Sequence, residues 1–251
     1  MTEVAEPDLW LGGRLRLRQP PRGAHRAGTD AVLLARLFEP EPDAVVCDLG
    51  AGTGAIGLAY ASLHPSCRAV LVERDEALAQ LARRNAQANS FEERVTVVEA
   101  DVLAPEAHRR AAGLPANFAD ILVTNPPFFD GTRHRPSPNA SKAAAHTFAG
   151  DGLDAWLRTS AGLLRSGGRL GLIHRADTLP DCLAAMGNRF GNITVRPVQA
   201  MAERPAIRVL VSAVKGSRAP FSLLAPLVLQ DAAGRFTAEV EAMHRGEAFR
   251  P

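Results

Sequence analysis

Along the chain, short apolar runs alternate with longer stretches whose apolar positions recur every three or four residues. Residues 44–49, 68–73, 95–98, 121–123 and 169–174 are filled on both faces, as in strands of a buried parallel sheet. The intervening stretches 55–63, 75–89, 104–113 and 151–164 read as helices, the second with an apolar stripe through Leu78, Leu81 and Ala82. Pro180 sits near the start of a further helix ending about Arg189. Residues 192–198 and 206–214 are β-rich runs joined by five residues, too few for a helical crossover, so they pair antiparallel.

At the amino end, residues 11–18 alternate apolar and basic with period two, which reads as a half-buried strand or hairpin with arginines on its wet face. Residues 1–10 read as frayed. Gly28-Thr29-Asp30 opens a helix that Pro40 and Pro42 close, and residues 237–244 form a helix in the tail. The expected architecture is a single α/β domain, a Rossmann-like doubly wound sheet of seven strands, mostly parallel with a carboxyl-terminal antiparallel hairpin. Residues 1–27 are its amino-terminal extension, 28–218 the core and 219–251 an appendage.

Composition narrows the function classes. The 251 residues, 46% hydrophobic and 22% charged, carry no disorder-like bias, and a net charge of +2 demands no polyanionic partner, so any nucleic-acid surface is a local patch. Cys47, Cys67 and Cys182 are odd in number and widely spaced, which argues against a disulfide framework or a zinc site and fits a reducing cytoplasm. No window reaches membrane-span length. The expectations are a cytoplasmic location, no membrane and no metal.

Two stretches carry chemistry. The run Ile121–Val123 stops at Asn125-Pro126-Pro127-Phe128. Two prolines give the ladder no N–H and force the backbone out of the sheet in one stiff direction. The Asn125 carbonyl oxygen, the Pro126 carbonyl and an aromatic ring are then left at the strand's carboxyl end, two acceptors and a stacking platform that suit a planar amine. Asn-Pro also opens ordinary turns, so taken alone the corner is even-handed between site and loop.

The second stretch, Asp48-Leu-Gly50-Ala51-Gly52-Thr-Gly54, joins the first strand to its helix. Gly52, Gly54 and Gly57 match a dinucleotide fingerprint, and Glu73 lies about 20 residues on, so a nicotinamide-dependent dehydrogenase competes at this point. Asp48 tilts the balance, because a carboxylate sits poorly beside a pyrophosphate yet binds an ammonium well. A ligand with an adenosine ribose and a cationic amino acid answers both carboxylates, with Asp101 at the next strand end accepting from the adenine amine. After the corner, residues 130–150 form a long polar segment carrying Arg133, His134, Arg135 and Lys142, read as a substrate-contacting loop.

With these motifs the chain resembles the class I S-adenosylmethionine-dependent methyltransferases. Gly28-Thr-Asp-Ala-Val-Leu-Leu34 and Arg208-Val-Leu-Val make it similar to the small methyltransferase group that holds the bacterial tRNA1(Val) adenine N6-methyltransferases, over about residues 11 to 240. The resemblance implies S-adenosyl-L-methionine as cofactor, held by Thr29, Asp30, Asp48, Gly50, Ala51, Gly52, Gly54, Glu73, Arg74, Asp101, Val102 and Asn125. It implies catalysis by Asn125, Pro126, Pro127 and Phe128, with Phe128, Phe129, Arg133 and Arg135 on the substrate. tRNA and a second copy of the chain are the partners expected. Many relatives have Tyr at the place of Phe128. Enzymes that methylate a glutamine amide in release factors use the same corner, but usually carry an amino-terminal helical domain for which the short extension leaves no room. A small-molecule or oxygen acceptor, and a non-catalytic scaffold binding cofactor or RNA, complete the alternatives.

Overall fold

The computed structural model describes residues 6–21, 26–127 and 152–247. A hairpin of β1 (Asp8–Trp10) and β2 (Leu15–Leu17) precedes α1 (Thr29–Ala35). Next come β3 (Val45–Leu49), α2 (Ala55–Leu63), β4 (Arg68–Glu73), α3 (Glu76–Ala88), β5 (Val95–Glu99), α4 (Glu106–Ala111) and β6 (Ala119–Thr124). After the segment outside the described residues, α5 (Gly152–Leu163) leads into β7 (Leu164–Arg175), α6 (Leu179–Met186), β8 (Phe190–Met201) and β9 (Ala206–Lys215). The tail holds β10 (Ser222–Leu223), β11 (Leu227–Gln230) and α7 (Ala238–His244).

Strands β3 to β7 are parallel, and β9 closes antiparallel on β7 and on β8. The order β8-β9-β7-β6-β3-β4-β5 is the expected seven-stranded sheet. Two short strands enlarge it to nine, because β10 and β11 both pair parallel with β8. Three further expectations are corrected. Residues 8–10 are strand rather than frayed, since their ladder to residues 15–17 buries Leu15 and Leu17 completely. The helix at Pro180 ends at Met186, followed by a 3-10 turn through Arg189. Strand β7 begins at Leu164, with a register shift where Ser166-Gly-Gly168 bulges away from β6.

Side-chain alternation splits the sheet's interior into two apolar layers. Val46, Ile121, Val123, Ile173 and Leu210 face the layer shared with α1, α2, α3 and α7. Cys47, Leu49, Leu122, Leu170, Leu172 and Val211 face the layer shared with α5 and α6. Both faces being covered is why these strands read as continuous apolar runs. No helix among the described residues is long and apolar enough to cross a membrane.

Candidate functional site

The strand order reverses at β3, which has β4 on one side and β6 on the other. In an open parallel sheet the crevice beyond the carboxyl ends at such a reversal is where ligands sit. Asp48 and the glycine loop close one side of it, and Asn125 closes the other.

The loop is held by the strand it leaves and by the next one. The Gly50 and Ala51 N–H groups both donate to the Val72 carbonyl at 2.9 Å. Gly50 has φ +77°, and a Cβ there would lie 3.0 Å from the Trp156 ring, so this position needs glycine twice over. At Gly57 a Cβ would come 2.1 Å from Leu71 Cδ2, and its N–H donates to Asp48 Oδ2 at 2.9 Å.

Asp48 is fully buried, and its Oδ1 has no hydrogen-bond partner among the described residues. Burial pushes its carboxyl up to about 7; the Gly57 N–H opposes this and the Glu73 charge adds to it. A buried carboxylate with one bare oxygen is a receptor for a cation. Glu73, 9% exposed, accepts from Gly52 N through Oε2 at 2.8 Å and from Arg74 N and Asp75 N through Oε1 at 2.9 Å. A carboxylate offers about four acceptor positions, so the three in use leave one for a ligand hydroxyl. Ammonium and sugar diol thus both find acceptors here, and the residues present fit a nucleoside linked to an amino acid.

The other expected contacts are distributed unevenly. Asp101 is exposed, its Oδ1 accepting from Leu103 N at 2.9 Å, whereas the Val102 side chain is buried in the second apolar layer. Arg74 is exposed beside Glu73. Thr29 and Asp30 start α1, and Asp30 Oδ2 accepts from Arg208 Nε at 3.0 Å. Arg208 pairs with Arg175 in the β9–β7 ladder, so this ion pair lies at the same sheet edge as the crevice. Thr29 Oγ1 stands 3.5 Å from Nε2 of His244 on α7.

At the corner, Asn125 and Pro127 are half-buried and Pro126 is buried. Thr124 Oγ1 donates to the Leu49 carbonyl at 2.7 Å and accepts from Trp156 Nε1 at 3.0 Å, tying the strand before the corner to the strand before the glycine loop. In the β6–β7 register Thr124 stands opposite Leu172, two residues before His174. That histidine is 3% exposed, bonded through Nδ1 to Thr178 Oγ1 at 2.5 Å, with the Pro127 carbonyl within bonding reach. Burial, with the Arg175 and Arg208 charges, lowers its pKa to about 4, so it is neutral at pH 7. Phe128, Phe129, Arg133 and Arg135, and the whole of 128–151, lie outside the described residues.

Residue types alone did not single out Asn85, Trp156 or His174. Asn85, fully buried on α3, accepts from Arg18 N at 2.9 Å and donates through Nδ2 to the Arg18 carbonyl at 2.9 Å and the Thr53 carbonyl at 3.0 Å. It clips the amino-terminal segment to the glycine loop; an asparagine in the second half of a helix, where it is a poor former, was the available signal. Asn85→Ala orphans three backbone groups and is expected to lower stability by about 3 kcal/mol, read from the urea midpoint at unchanged slope. A loss under about 1 kcal/mol would show that water takes over these bonds. The basic amino-terminal turn also meets the end of α7: a Cβ on Gly12 would lie 3.2 Å from the Arg245 carbonyl oxygen. The Arg245 guanidinium itself is engaged by Glu241 and Glu247.

The family described as "Methyltransferase small domain" matches residues 25–200. A protein of Porphyromonas gingivalis named tRNA1(Val) (adenine(37)-N6)-methyltransferase is 30% identical over 192 residues, 74% of this chain and 73% of that protein. A release factor glutamine methyltransferase of Mycolicibacterium smegmatis is 34% identical over 68% of this chain and 61% of its own length. Among solved structures, a predicted O-methyltransferase from Agrobacterium tumefaciens superposes with TM-score 0.74 at 32% identity, covering 88% of this chain and 97% of the other.

Proposed function

The chain belongs to the methyltransferase small domain family, and from that premise we propose that it is an S-adenosylmethionine-dependent N-methyltransferase acting on the N6 amine of an unstacked adenine in tRNA. The observation that carries the reading is the Asn125-Pro126-Pro127 corner at the carboxyl end of β6, directly across the sheet reversal from Asp48 and its glycine loop. Asp48 and the loop would hold the amino-acid part of the cofactor, Glu73 the ribose and Asp101 the adenine edge. S-adenosylmethionine supplies a methyl group on a sulfonium whose departure leaves a neutral thioether.

An adenine amine is a poor nucleophile because its lone pair is delocalised into the ring. Asn125 Oδ1 and the Pro126 carbonyl, accepting its two hydrogens, favour the pyramidal nitrogen whose lone pair is available for attack. The stiff proline pair keeps those acceptors aligned. Neutral His174 adds no positive charge beside the nitrogen as it becomes cationic. The amine is acidic once methylated, so a general base is not required. A base that must leave its stack is taken more easily from a loop than from a duplex, and a tRNA acceptor places the reaction in the cytoplasm.

Tritium transfer from labelled S-adenosylmethionine into bulk tRNA, run beside release factor protein and followed by nucleoside digestion, tests the reading. Label in N6-methyladenosine is expected. Label in protein alone would move the assignment to the glutamine amide, the second reading that the Mycolicibacterium relative supports.

The buried Asp48 sets a pH dependence. With its folded pKa raised to about 7 from 3.8, the carboxylate of the cofactor-free protein gains a proton as pH falls through 7. That gain favours the free fold below pH 7 and is lost above it. Capture of an ammonium needs the ionised form, so affinity for S-adenosylhomocysteine should drop up to about tenfold per pH unit below 7. Asp48→Asn should bind weakly with a flat profile in calorimetry; an unchanged slope in this variant would remove Asp48 from the ammonium site.

A further inference from the structure

A cavity of about 310 Å³ lies on the α1 face of the sheet, toward the amino-terminal half of β7 and away from the crevice that holds Asp48 and Asn125. Its floor is one cross-strand row: Gly171 on β7 pairs with Ser212 on β9, which pairs with Thr194 on β8. Three small residues side by side leave a gap in the apolar layer that larger side chains fill elsewhere, and two of them point hydroxyls into it.

The walls are cationic. Arg36, Arg169 and Arg196 line the cavity against a single lining carboxylate, Glu39. Arg36 is 5% exposed, and its Nε is buried with no hydrogen-bond partner among the described residues. Its other contact is loose, with Nη2 at 3.4 Å from Glu39 Oε1. Arg169 is held in place by donating through Nη2 to the Glu39 carbonyl at 2.9 Å and stacking 4.9 Å above the Phe38 ring. Arg196 stands 3.9 Å from Glu239 on α7, which does not line the cavity. Burying a guanidinium donor without an acceptor is costly, and such groups in native folds meet an ion, a water or a ligand.

We propose that this cavity is a second binding site, separate from the methyl-transfer crevice, for the phosphate monoester group of a small molecule. Three guanidinium charges against one carboxylate leave a surplus of two, the charge of a phosphate monoester near pH 7, which is about −1.5 to −2. Arginine forks match phosphate oxygens, and the Ser212 and Thr194 hydroxyls supply donors beneath them. A concave pocket roofed by the end of α1 suits a terminal phosphate better than a diester running along a nucleic-acid backbone.

Calorimetric titration of the full-length chain with inorganic phosphate, with S-adenosylhomocysteine saturating the other crevice, tests this. One saturable site is expected, and Arg169→Gln and Arg196→Gln should each weaken it by about fivefold or more. Methyl transfer and melting temperature should be unchanged, and Arg235→Gln, at an exposed ion pair with Asp231, should have no effect. Absence of saturable uptake, or equal effects from all three variants, overturns the proposal. A parallel arm measures tRNA affinity against salt: a slope smaller by about one in Arg196→Gln reassigns the pocket to an RNA backbone phosphate and overturns the small-molecule reading. The phosphate titration can also be run without S-adenosylhomocysteine, so its outcome is separable from that of the methylation assay.

Discussion

Asn125→Ala cuts kcat for methyl transfer by about a thousandfold while the affinity for S-adenosylhomocysteine stays within about threefold. The asymmetry follows from when the amide acts. Its oxygen accepts from the acceptor amine most strongly as that nitrogen pyramidalises and gains positive charge, so its removal raises the barrier more than it weakens any ground state. No hydrogen bond ties the Asn125 side chain to another described residue, so truncation breaks nothing in the fold that the structure records. The measurements are single-turnover transfer to tRNA and calorimetry with S-adenosylhomocysteine. Equal losses in both would make Asn125 a cofactor ligand and remove its assignment to the amine.

Glu73→Gln produces the mirror image, raising the cofactor dissociation constant by roughly thirty- to a hundredfold, or about 2–3 kcal/mol. The carboxylate is an acceptor through both oxygens, toward Gly52 N on one side and toward Arg74 N and Asp75 N on the other. Glutamine is nearly the same shape, but its amide group must face one of these N–H sets with hydrogens. Turned one way it loosens the glycine loop; turned the other it loosens the start of α3. In either orientation the ribose loses its charged acceptor. At saturating cofactor the chemical step should recover to within about threefold, because Asn125 and Pro126 are untouched. A fall in kcat with the dissociation constant unchanged would contradict Glu73 as the ribose ligand.

Both residues were legible in the sequence, and for local reasons. A β-prone apolar run has to stop where two prolines remove the ladder donors, so the end of β6 could be placed within a residue or two. Glu73 closes the strand after a glycine turn, at the spacing a βαβ unit dictates. The residues that steady these two were not legible. Trp156 reaches Thr124 across 32 positions, Asn85 reaches Arg18 across 67, and nothing in the types Trp, Asn or His announces which neighbour they will meet. The strands β10 and β11 were missed because two to four residues carry too little periodicity to register, and their pairing with β8 supplies the order. The cavity beside Arg36 was hidden for the same reason: Gly171, Ser212 and Thr194 become one row only through the β7–β9–β8 register.

What the sequence by itself determined is the inventory of elements and the two chemical turns. Apolar periodicity, proline's missing donor and glycine's freedom at positive φ act over a few residues and need no partner. What only the tertiary structure decided is which of those turns share a site. Asp48 and Asn125 are 77 positions apart, and they face one crevice because β6 inserts beside β3 rather than following β5. That choice belongs to the sheet as a whole, since strand order is set by burying both faces under helices, an energy that no local stretch of chain carries.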